Sequence, residues 1–548
     1  MCQSENPGMI APLRVPRFRL IWGASVLSNL GLVIQGVGAA WTMTQITNDA
    51  TLVALVQSAT LVPMLLFTLP AGAMADVYPR RTVALAALAI SLSGTSILSM
   101  LAFANAITPV ALLILSFVAG CGMAFFWPAW QSSAADDVPA DLLPAAVGLN
   151  SISYNAARVV GPGVGGMIVA GGSATVAFVV SFCLYLPMVG AQLRTSARRT
   201  LTRLPPERIG RALITGLRYA ANATPVVNIV VRSFALGAIG GSVHALMPLI
   251  ARDLLGAGAG TFGILLGLFG AGAVVGIVVA ARLRQRFGTD GSASVCIIAL
   301  GLSLTVVGVS RYVPLTGAAL IVAGAAWMCM TQACSVGLQM SVPRWVAGRA
   351  LACFQASLSG GIALAGVGWG LFAERFGVGN AFIGSGLLIL LSIALRRVWP
   401  LPEIGGAYVV SGVGAPDPEL VVRIDGNGGP ILIEVEYSIP VRQALGFHRM
   451  MTTVQRLRKR NGAYGWSIAR DLGRPDVWKE RFHFPTWHDY LRQRERLTDQ
   501  ERELQSSVMS LHAGTEPVVV RRFLLGPSEV DLTSDADHAN EWPQTVIQ

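Results

Sequence analysis

Three ionisable side chains lie inside long apolar stretches of the sequence: Arg158, Arg232 and His244. An arginine at the centre of a bilayer costs about 2.5–3.5 kcal/mol or more, so each arginine must face the interior of a helix bundle rather than lipid. There it can bind an anionic ligand or be held by backbone carbonyls, and the sequence leaves both roles open. His244 can bind substrate or carry a proton, but the simpler interpretation is a packing residue between helices.

Polar and aromatic residues in other apolar stretches extend this candidate binding region. They are Asn29 and Gln35 in the first stretch, Gln57 in the second, and Trp127 and Trp130 at the end of the fourth. The tryptophans equally fit an interfacial aromatic belt. No Asp or Glu lies clearly inside an apolar stretch, so Asp76, just after the second stretch, and His244 are the remaining choices for a proton carrier. The sequence has no Walker, GxSxG, HExxH or CxxC pattern, and we predict no catalytic residue, cofactor or metal site.

The elements that carry these residues are predicted to be membrane-spanning helices. The chain has 548 residues, 53% hydrophobic and 13% charged, with a mean hydropathy of +0.57. One crossing needs about 20 apolar residues. Twelve stretches qualify: 19–42, 52–75, 82–104, 108–131, 142–170, 174–193, 224–250, 259–281, 292–310, 314–341, 347–373 and 378–396. A basic connection, residues 194–223, separates an N-terminal half, residues 1–193, from a C-terminal half, residues 224–397.

The basic residues predict the orientation of these helices. Placing the N-terminus in the cytoplasm puts most loop arginines on that side, namely the connection, Arg80, Arg81, Arg282, Arg284, Arg286, Arg344, Arg349, Arg396 and Arg397. Short loops rich in Lys and Arg stay in the cytoplasm, so both termini are predicted there. The many arginines beside only Lys459 and Lys479 indicate a GC-rich bacterial source and hence the inner membrane. The net charge of +11 therefore reflects orientation, and no nucleic-acid partner is predicted.

The two halves share a weak internal repeat around a loop after the second stretch of each half. The first copy contains Gly72, Asp76, Arg80 and Arg81. The second is a basic segment, residues 281–288. Over residues 12–397 the chain resembles the major facilitator superfamily, whose loop signature has this Gly, Asp and basic cluster, although Pro79 stands where the family often has Gly. The resemblance implies alternating access around a midplane site, with the loop as a cytoplasmic latch; an ordinary orienting loop is the alternative.

The fifth stretch carries the most informative motif. Its small residues and proline are Gly148, Ala157, Gly161, Pro162, Gly165 and Gly166. This spacing resembles the antiporter motif of the superfamily, with Ala157 in place of the middle Gly. The resemblance implies export by antiport against protons, whereas small residues alone indicate only close helix packing. Arg158 in the company of Asn150 and Asn155 is typical of the branch represented by the enterobactin exporter, which implies substrate binding at these three positions.

A soluble region is predicted after the last stretch. Residues 398–429 are rich in Gly, Pro and Asp and predict a linker with one short strand at 420–424. Residues 430–525 follow the order βαββαβ, with strands at 431–439, 463–469, 477–484 and 518–524 and helices at 441–460 and 487–511. This order predicts a small ferredoxin-like domain. It resembles the antibiotic-biosynthesis-monooxygenase type, which implies a homodimer, and residues 526–548 are predicted to be a disordered tail.

Together these features predict an all-α membrane protein with twelve transmembrane helices in two six-helix halves, the major facilitator fold, followed by a small α+β domain. The predicted function is secondary export of a small amphipathic or anionic molecule, such as a siderophore, drug or secondary metabolite. Two alternatives stay open: an importer or uniporter of the same fold, and a non-transporting membrane sensor acting through its soluble domain. The expected partners are this substrate, protons, the lipid bilayer and a second copy of the chain.

Overall fold

The computed structural model describes residues 10–139, 142–194, 209–402, 428–495, 499–514 and 516–526. The chain divides into two compact units. The membrane unit comprises Met1–Leu213, Pro225–Gln339 and Gly348–Gly405, and the sheet unit comprises Ile214–Thr224, Met340–Ala347 and Gly406–Gln548. The predicted strand at 420–424, most of the predicted linker and the tail from residue 527 lie outside the described residues.

Long apolar helices with short polar joints form the N-terminal half of the membrane unit. They are α1 Pro16–Ile46, α2 Ala50–Val77, α3 Arg80–Phe103, α4 Pro109–Asp137, α5 Leu143–Gly172 and α6 Ala174–Arg194. Side-chain caps satisfy the first backbone donors of α2 and α4. The Asp49 carboxylate accepts from the N–H groups of Thr51 and Leu52 at 2.7 and 3.2 Å, and the Thr108 hydroxyl accepts from the N–H of Ala111 at 3.2 Å.

The described part of the connection and the C-terminal half are helical too, with π-helical turns at Leu236–Gly240 and Ile250–Leu254 and a bend in α10. The helices are α7 Ile209–Asn222, α8 Thr224–Ala235, α9 Ser242–Leu249, α10 Ala259–Val309, α11 Val313–Ser341, α12 Arg344–Phe376 and α13 Val378–Leu391. A π-helical turn, Leu236–Gly240, joins α8 to α9, so that Thr224–Leu254 is one apolar segment of 31 residues. Helix α10 bends at Gly288, whose φ of 71° is readily adopted only by glycine.

Ten helices in the described part of the chain are long and apolar enough to cross a membrane. One of them, α10, has 51 residues and contains the Gly288 bend, although a single crossing needs only about 20. Helix α5 is not among the ten, yet it has 30 residues and a largely apolar sequence. The first unit is therefore a polytopic membrane body, as the hydropathy pattern predicts.

The sheet unit contains four antiparallel strands with helices packed on one face. The strands are β1 Ile431–Ser438, β2 Tyr464–Arg470, β3 Val477–Phe484 and β4 Val519–Leu524, and the helices are α14 Ala444–Arg460, α15 Trp487–Glu495 and α16 Asp499–Met509. The strand order is β2-β3-β1-β4. Alternate residues of β1, including Ile433 and Val435, share a buried core with Phe447 of α14 and Tyr490 of α15, as expected for a strand with one covered face.

Two elements differ from their predicted form. The connection was expected to be a polar link, but its last part is helix α7, which begins at Ile209. Tyr219 of this helix is only 1% exposed and lies beneath the Arg460 guanidinium of the sheet unit, so tertiary packing stabilises a segment whose arginines suggested a loop. The predicted single helix at 487–511 consists of α15 and α16, on either side of residues that the structure does not describe.

Candidate functional site

Arg158 of α5 lies beside the ring of Tyr154, which in turn packs against Trp127. Its guanidinium carbon is 5.6 Å from the centre of the Tyr154 ring, one helical turn earlier. Tyr154 packs edge-on against Trp127 of α4, with ring centres 4.7 Å apart. All three side chains are partly accessible, and within the described part of the chain Arg158 has no hydrogen bond or ion pair. We call Trp127, Tyr154 and Arg158 the arginine cluster.

The C-terminal half contributes His244 of α9 to the same region. The imidazole lies edge-on to Phe269 of α10 and Trp327 of α11, with ring centres 5.3 and 4.7 Å away. Its Nε2 atom is buried and has no hydrogen-bond partner among the described residues. Arg158 is close enough for its charge to act on this imidazole. Two of the predicted site residues, one from each half, therefore lie within electrostatic range of each other.

Glycines place the backbones of α5 and α10 in direct contact. A Cβ atom added to Gly166 would lie 2.4 Å from the Cα of Gly263, and one added to Gly270 would lie 2.8 Å from the carbonyl oxygen of Arg158. Pro162 has no N–H, so this carbonyl, four residues earlier, has no donor within its own helix. Only glycine permits such an approach without a shift of one backbone. Gly166 of the α5 motif thus brings the backbone of one half into direct contact with the backbone of the other.

An adjacent face of α5 packs on α1. A Cβ atom on Gly161 would lie 2.9 Å from the side chain of Val33, and one on Gly165 would also meet α1 within 3.3 Å. Asn29 of α1 donates a hydrogen bond to the Ser153 hydroxyl at 3.2 Å and is 6% exposed. Two members of the motif, together with this buried hydrogen bond, therefore fix α1 against α5.

The remaining amide candidates differ in their surroundings. Gln35 is 5% exposed and accepts a hydrogen bond from the Thr95 hydroxyl at 3.0 Å, so it already has a partner. Gln57 and Asn150 are half-buried. The side chain of Asn155 lies outside the described part of the chain. In the same motif Ala157 is 4% exposed, and Gly148 is half-buried.

Arg232 of α8 has an acidic partner that was not predicted from the sequence. It forms an ion pair with Asp290, and Arg396 approaches the same carboxylate at 3.4 Å. Asp290 also accepts from the backbone N–H of Leu401 at 3.4 Å. Because Arg232 is 3% exposed and paired within its own half, this geometry favours its structural role over ligand binding. Asp290 follows the bend at Gly288. The sequence signal that could have identified this residue is a glycine close to an acidic residue between two apolar stretches.

The two halves contact each other from the middle of the helices to one end, which we call the Thr47 end because α1 stops there. Three contacts lie at this end: Arg252 donates to the carbonyls of Thr44 and Thr47, both at 3.1 Å, Thr51 donates to Glu374 at 2.6 Å, and Trp41 stacks on Phe262 with ring centres 5.8 Å apart. At the opposite end, which we call the Pro16 end, a Cβ atom added to Gly72 or Gly348 meets no atom within 4 Å. The described conformation is closed at the Thr47 end.

The predicted gating loop lies at the Pro16 end and is short. Helix α2 extends to Val77 and α3 begins at Arg80, so only Tyr78 and Pro79 stand between the helices. Arg81 donates to the carbonyl of Leu193 at 3.0 Å, a contact within the N-terminal half. The side chain of Asp76, the proposed latch, lies outside the described residues.

The sequence is similar to a family profile and to several transport proteins. The family profile described as transmembrane secretion effector matches residues 7–529. The multidrug efflux pump Tap of Mycobacterium tuberculosis is 27% identical over 218 residues, 38% of this chain and 52% of that protein, so the match spans about half the length of this relative. Tap of Mycolicibacterium fortuitum is 26% identical over 403 residues, 68% and 93% of the two chains. The staphyloferrin A transporter of Staphylococcus aureus is 23% identical over 272 residues, 49% and 68%.

Solved structures share the fold of the membrane unit. The nucleoside transporter NupG superposes with a TM-score of 0.56 at 14% identity, covering 69% of this chain and 99% of its own. An auto-inhibited POT family peptide transporter superposes with a TM-score of 0.59 at 10% identity, covering 70% and 96%. At this identity the likeness concerns the fold, while the family profile covers almost the whole chain. The chain therefore belongs to the transmembrane secretion effector family of major facilitator transporters.

Proposed function

We propose that the protein is a secondary active exporter of a small amphipathic or anionic molecule, such as a siderophore, drug or secondary metabolite, and that protons drive it by antiport. The observation that carries the proposal is the position of Arg158. This partly accessible guanidinium belongs to a residue whose backbone meets α10 of the other half at Gly270, and its charge acts on His244 of that half. The named activities of the relatives, drug efflux and staphyloferrin A transport, support a small-molecule substrate.

The proposed membrane body has twelve crossings with both termini in the cytoplasm. Counting α10 as two crossings on either side of Gly288, and adding α5 to the ten apolar helices, supports this number. Successive crossings alternate in direction, which groups Arg80, Arg282 and Arg396 at the Pro16 end. Loops rich in basic residues stay in the cytoplasm. In this orientation the Thr47 end faces outward, so the described conformation is closed toward the outside.

Alternating access follows from the two ends of this body. The contact of Gly166 with Gly263 and the hydrogen bonds of Arg252 form the outer gate. The segment from Gly72 to Arg81, with Asp76 as the latch, forms the inner gate when the Pro16 end closes. Asp76 and His244 are the proposed choices for the proton carrier, and the buried Nε2 of His244 has no hydrogen-bond partner among the described residues.

The sheet unit is proposed to be a ferredoxin-like domain of the antibiotic-biosynthesis-monooxygenase type that forms a homodimer. The strand order β2-β3-β1-β4, with β3 inserted between β1 and β2, supports the ferredoxin-like assignment. The helices cover one face of β1. The other face is available to a second copy. Together with the motif in α5, this domain supports placement in the branch of the enterobactin exporter.

Efflux from proteoliposomes tests the proposed function. Vesicles loaded with fluorescent drugs or iron-chelating ligands are followed with a pH gradient imposed and then collapsed. Loss of a charge-assisted hydrogen bond, about 1.5–3 kcal/mol, predicts that Arg158→Ala slows gradient-driven efflux about tenfold or more. Arg375→Ala is the matched control, because Arg375 is exposed at the Thr47 end. Uptake in place of efflux would identify an importer, and a fully active Arg158→Ala variant would refute the site.

A further inference from the structure

The surroundings of Arg158 define the charge of its ligand. Four carboxylates of the described membrane unit lie near helix ends and have partners: Asp49 caps α2, Asp253 binds Arg252, Glu374 accepts from Thr51, and Asp290 binds Arg232. None of these four pairs with Arg158. A guanidinium inside a membrane is costly unless it is paired. An anionic ligand would therefore stabilise Arg158. Its planar fork of donors matches a carboxylate.

The ring surfaces next to Arg158 define the shape of that ligand. Tyr154 and Trp127 are both partly accessible, and Trp127 packs against Trp130 with ring centres 5.2 Å apart. Aromatic faces favour offset or edge-on packing with another ring by about 0.5–1.5 kcal/mol beyond area burial. Across the site, Trp327 lies beside His244. A ligand whose anionic group reaches Arg158 therefore has ring surfaces within one helical turn of that group.

We propose that this site binds aromatic anions: molecules in which a carboxylate or a similarly charged group is attached to a planar ring. The anionic group pairs with Arg158, and the ring packs against Tyr154 and Trp127. The proposal rests on the proposed function, since it defines the substrate class of the same site. It excludes aromatic cations as preferred ligands, because nothing among the described residues near Arg158 compensates a second positive charge.

A matched set of four probes tests this class by equilibrium binding to the purified full chain in nanodiscs. The probes are 2-naphthoate, the saturated decahydro-2-naphthoate, the neutral 2-naphthamide and the cationic 2-naphthylmethylamine. We expect 2-naphthoate to bind about tenfold or more tightly than each of the other three. Since this comparison uses the wild-type chain, it does not depend on a variant that folds. Equal affinity for the amide, tighter binding of the amine, or no saturable binding of 2-naphthoate would overturn the proposal.

Variants then assign the two preferences to their residues. Arg158→Gln is expected to abolish the preference of naphthoate over naphthamide, whereas Arg158→Lys retains part of it because the charge remains. Trp127→Leu combined with Tyr154→Leu is expected to abolish the preference for the aromatic over the saturated acid while keeping the charge preference. Arg375→Gln should change neither. If Arg158→Gln kept the full preference for naphthoate over naphthamide, the proposed contact with Arg158 would be contradicted.

The two proposals fail in different ways. Selective naphthoate binding without gradient-driven efflux of any probe would leave the binding class standing and refute the exporter. Efflux of cationic or non-aromatic compounds without selective naphthoate binding would leave the exporter standing and refute the aromatic anion. The binding and efflux measurements therefore separate substrate class from transport.

Discussion

A pair of glycines sets the distance between the halves. Gly166 and Gly263 place the backbones of α5 and α10 so close that even a methyl group has no room. Spacing in the sequence identified Gly166 as part of a packing motif, but its partner, in a different half, could not be inferred from local pattern. The interface therefore depends on two residues of which only one carried a signal.

Substitution of Gly263 tests this contact. Gly263→Val is expected to force α10 away from α5, because the added side chain would overlap the backbone of Gly166. The variant should lose efflux activity and open the Thr47 end, as measured by thiol labelling of a cysteine placed at Trp41. The control is Gly171→Val, since a Cβ atom at Gly171 meets nothing within 4 Å. Normal efflux and unchanged labelling in Gly263→Val would contradict the tight contact.

Arg232 and Asp290 give a second prediction at the level of single residues. Asp290→Asn leaves the 3% exposed guanidinium of Arg232 without its ion pair, and loss of one partner of a buried pair costs about 3–5 kcal/mol. A lower thermal unfolding temperature of the purified protein is expected. Arg232→Met combined with Asp290→Leu should recover much of the loss. If Asp290→Asn unfolds at the wild-type temperature, the ion pair does not stabilise the fold.

At the scale of elements, helix α7 belongs to the sheet unit although its sequence precedes the C-terminal half. Arg218 donates to the carbonyl of Gly462 at 3.1 Å, and the Arg460 guanidinium lies 5.4 Å from the centre of the Tyr219 ring. Sequence periodicity located the strands of this unit within one or two residues. It could not reveal α7 as a partner, because contacts more than 200 positions apart leave no local pattern.

A double-mutant cycle measures how strongly α7 is held. Tyr219→Leu and Arg460→Gln should each increase amide hydrogen exchange in α7 of the full chain. The effects should be non-additive by about 0.5–2 kcal/mol, the range of a cation–π contact. Arg474→Gln is the control, with a side chain that is 63% exposed on the same unit. Additive effects of the two substitutions would show that the ring and the guanidinium do not interact.

Ion pairs on the sheet face that the helices do not cover give a pH-dependent prediction. Burial raises the pKa of Glu434, but the hydrogen bond and charge of Arg481, at 2.7 Å, with Lys479 and Arg521, hold it below 4.5. When folding lowers a pKa, the resulting stabilisation is fully present above the pKa of the unfolded state. It is lost as the pH falls through the pKa of the folded state. Exchange protection of β1 should therefore fall below about pH 4.5 in the wild type. Glu434→Gln should flatten this dependence, and an identical acid response would contradict it.

At the scale of the whole molecule, hydropathy was sufficient to predict a polytopic membrane body because lipid dictates long apolar helices. Their position inside apolar stretches also singled out Arg158 and His244, and in the structure the charge of Arg158 acts on the imidazole of His244. The conformation, closed at the Thr47 end, was beyond the reach of the sequence. It depends on contacts such as Thr51 with Glu374, which involve residues 323 positions apart, and a single sequence encodes both conformations of a transporter that alternates.

The most direct test of alternating access is a pair of interspin distances in one protein, measured in nanodiscs by double electron–electron resonance. Spin labels at Asn48 and Leu255 report on the Thr47 end, and labels at Tyr78 and Gly348 report on the Pro16 end, each pair in a background without native cysteines. Shifting the pH from 8 to 5, with and without 2-naphthoate, should lengthen one distance while shortening the other. Reciprocal changes are the predicted result. Two distances that stay fixed, or that change in the same direction, would contradict an exporter that works by alternating access.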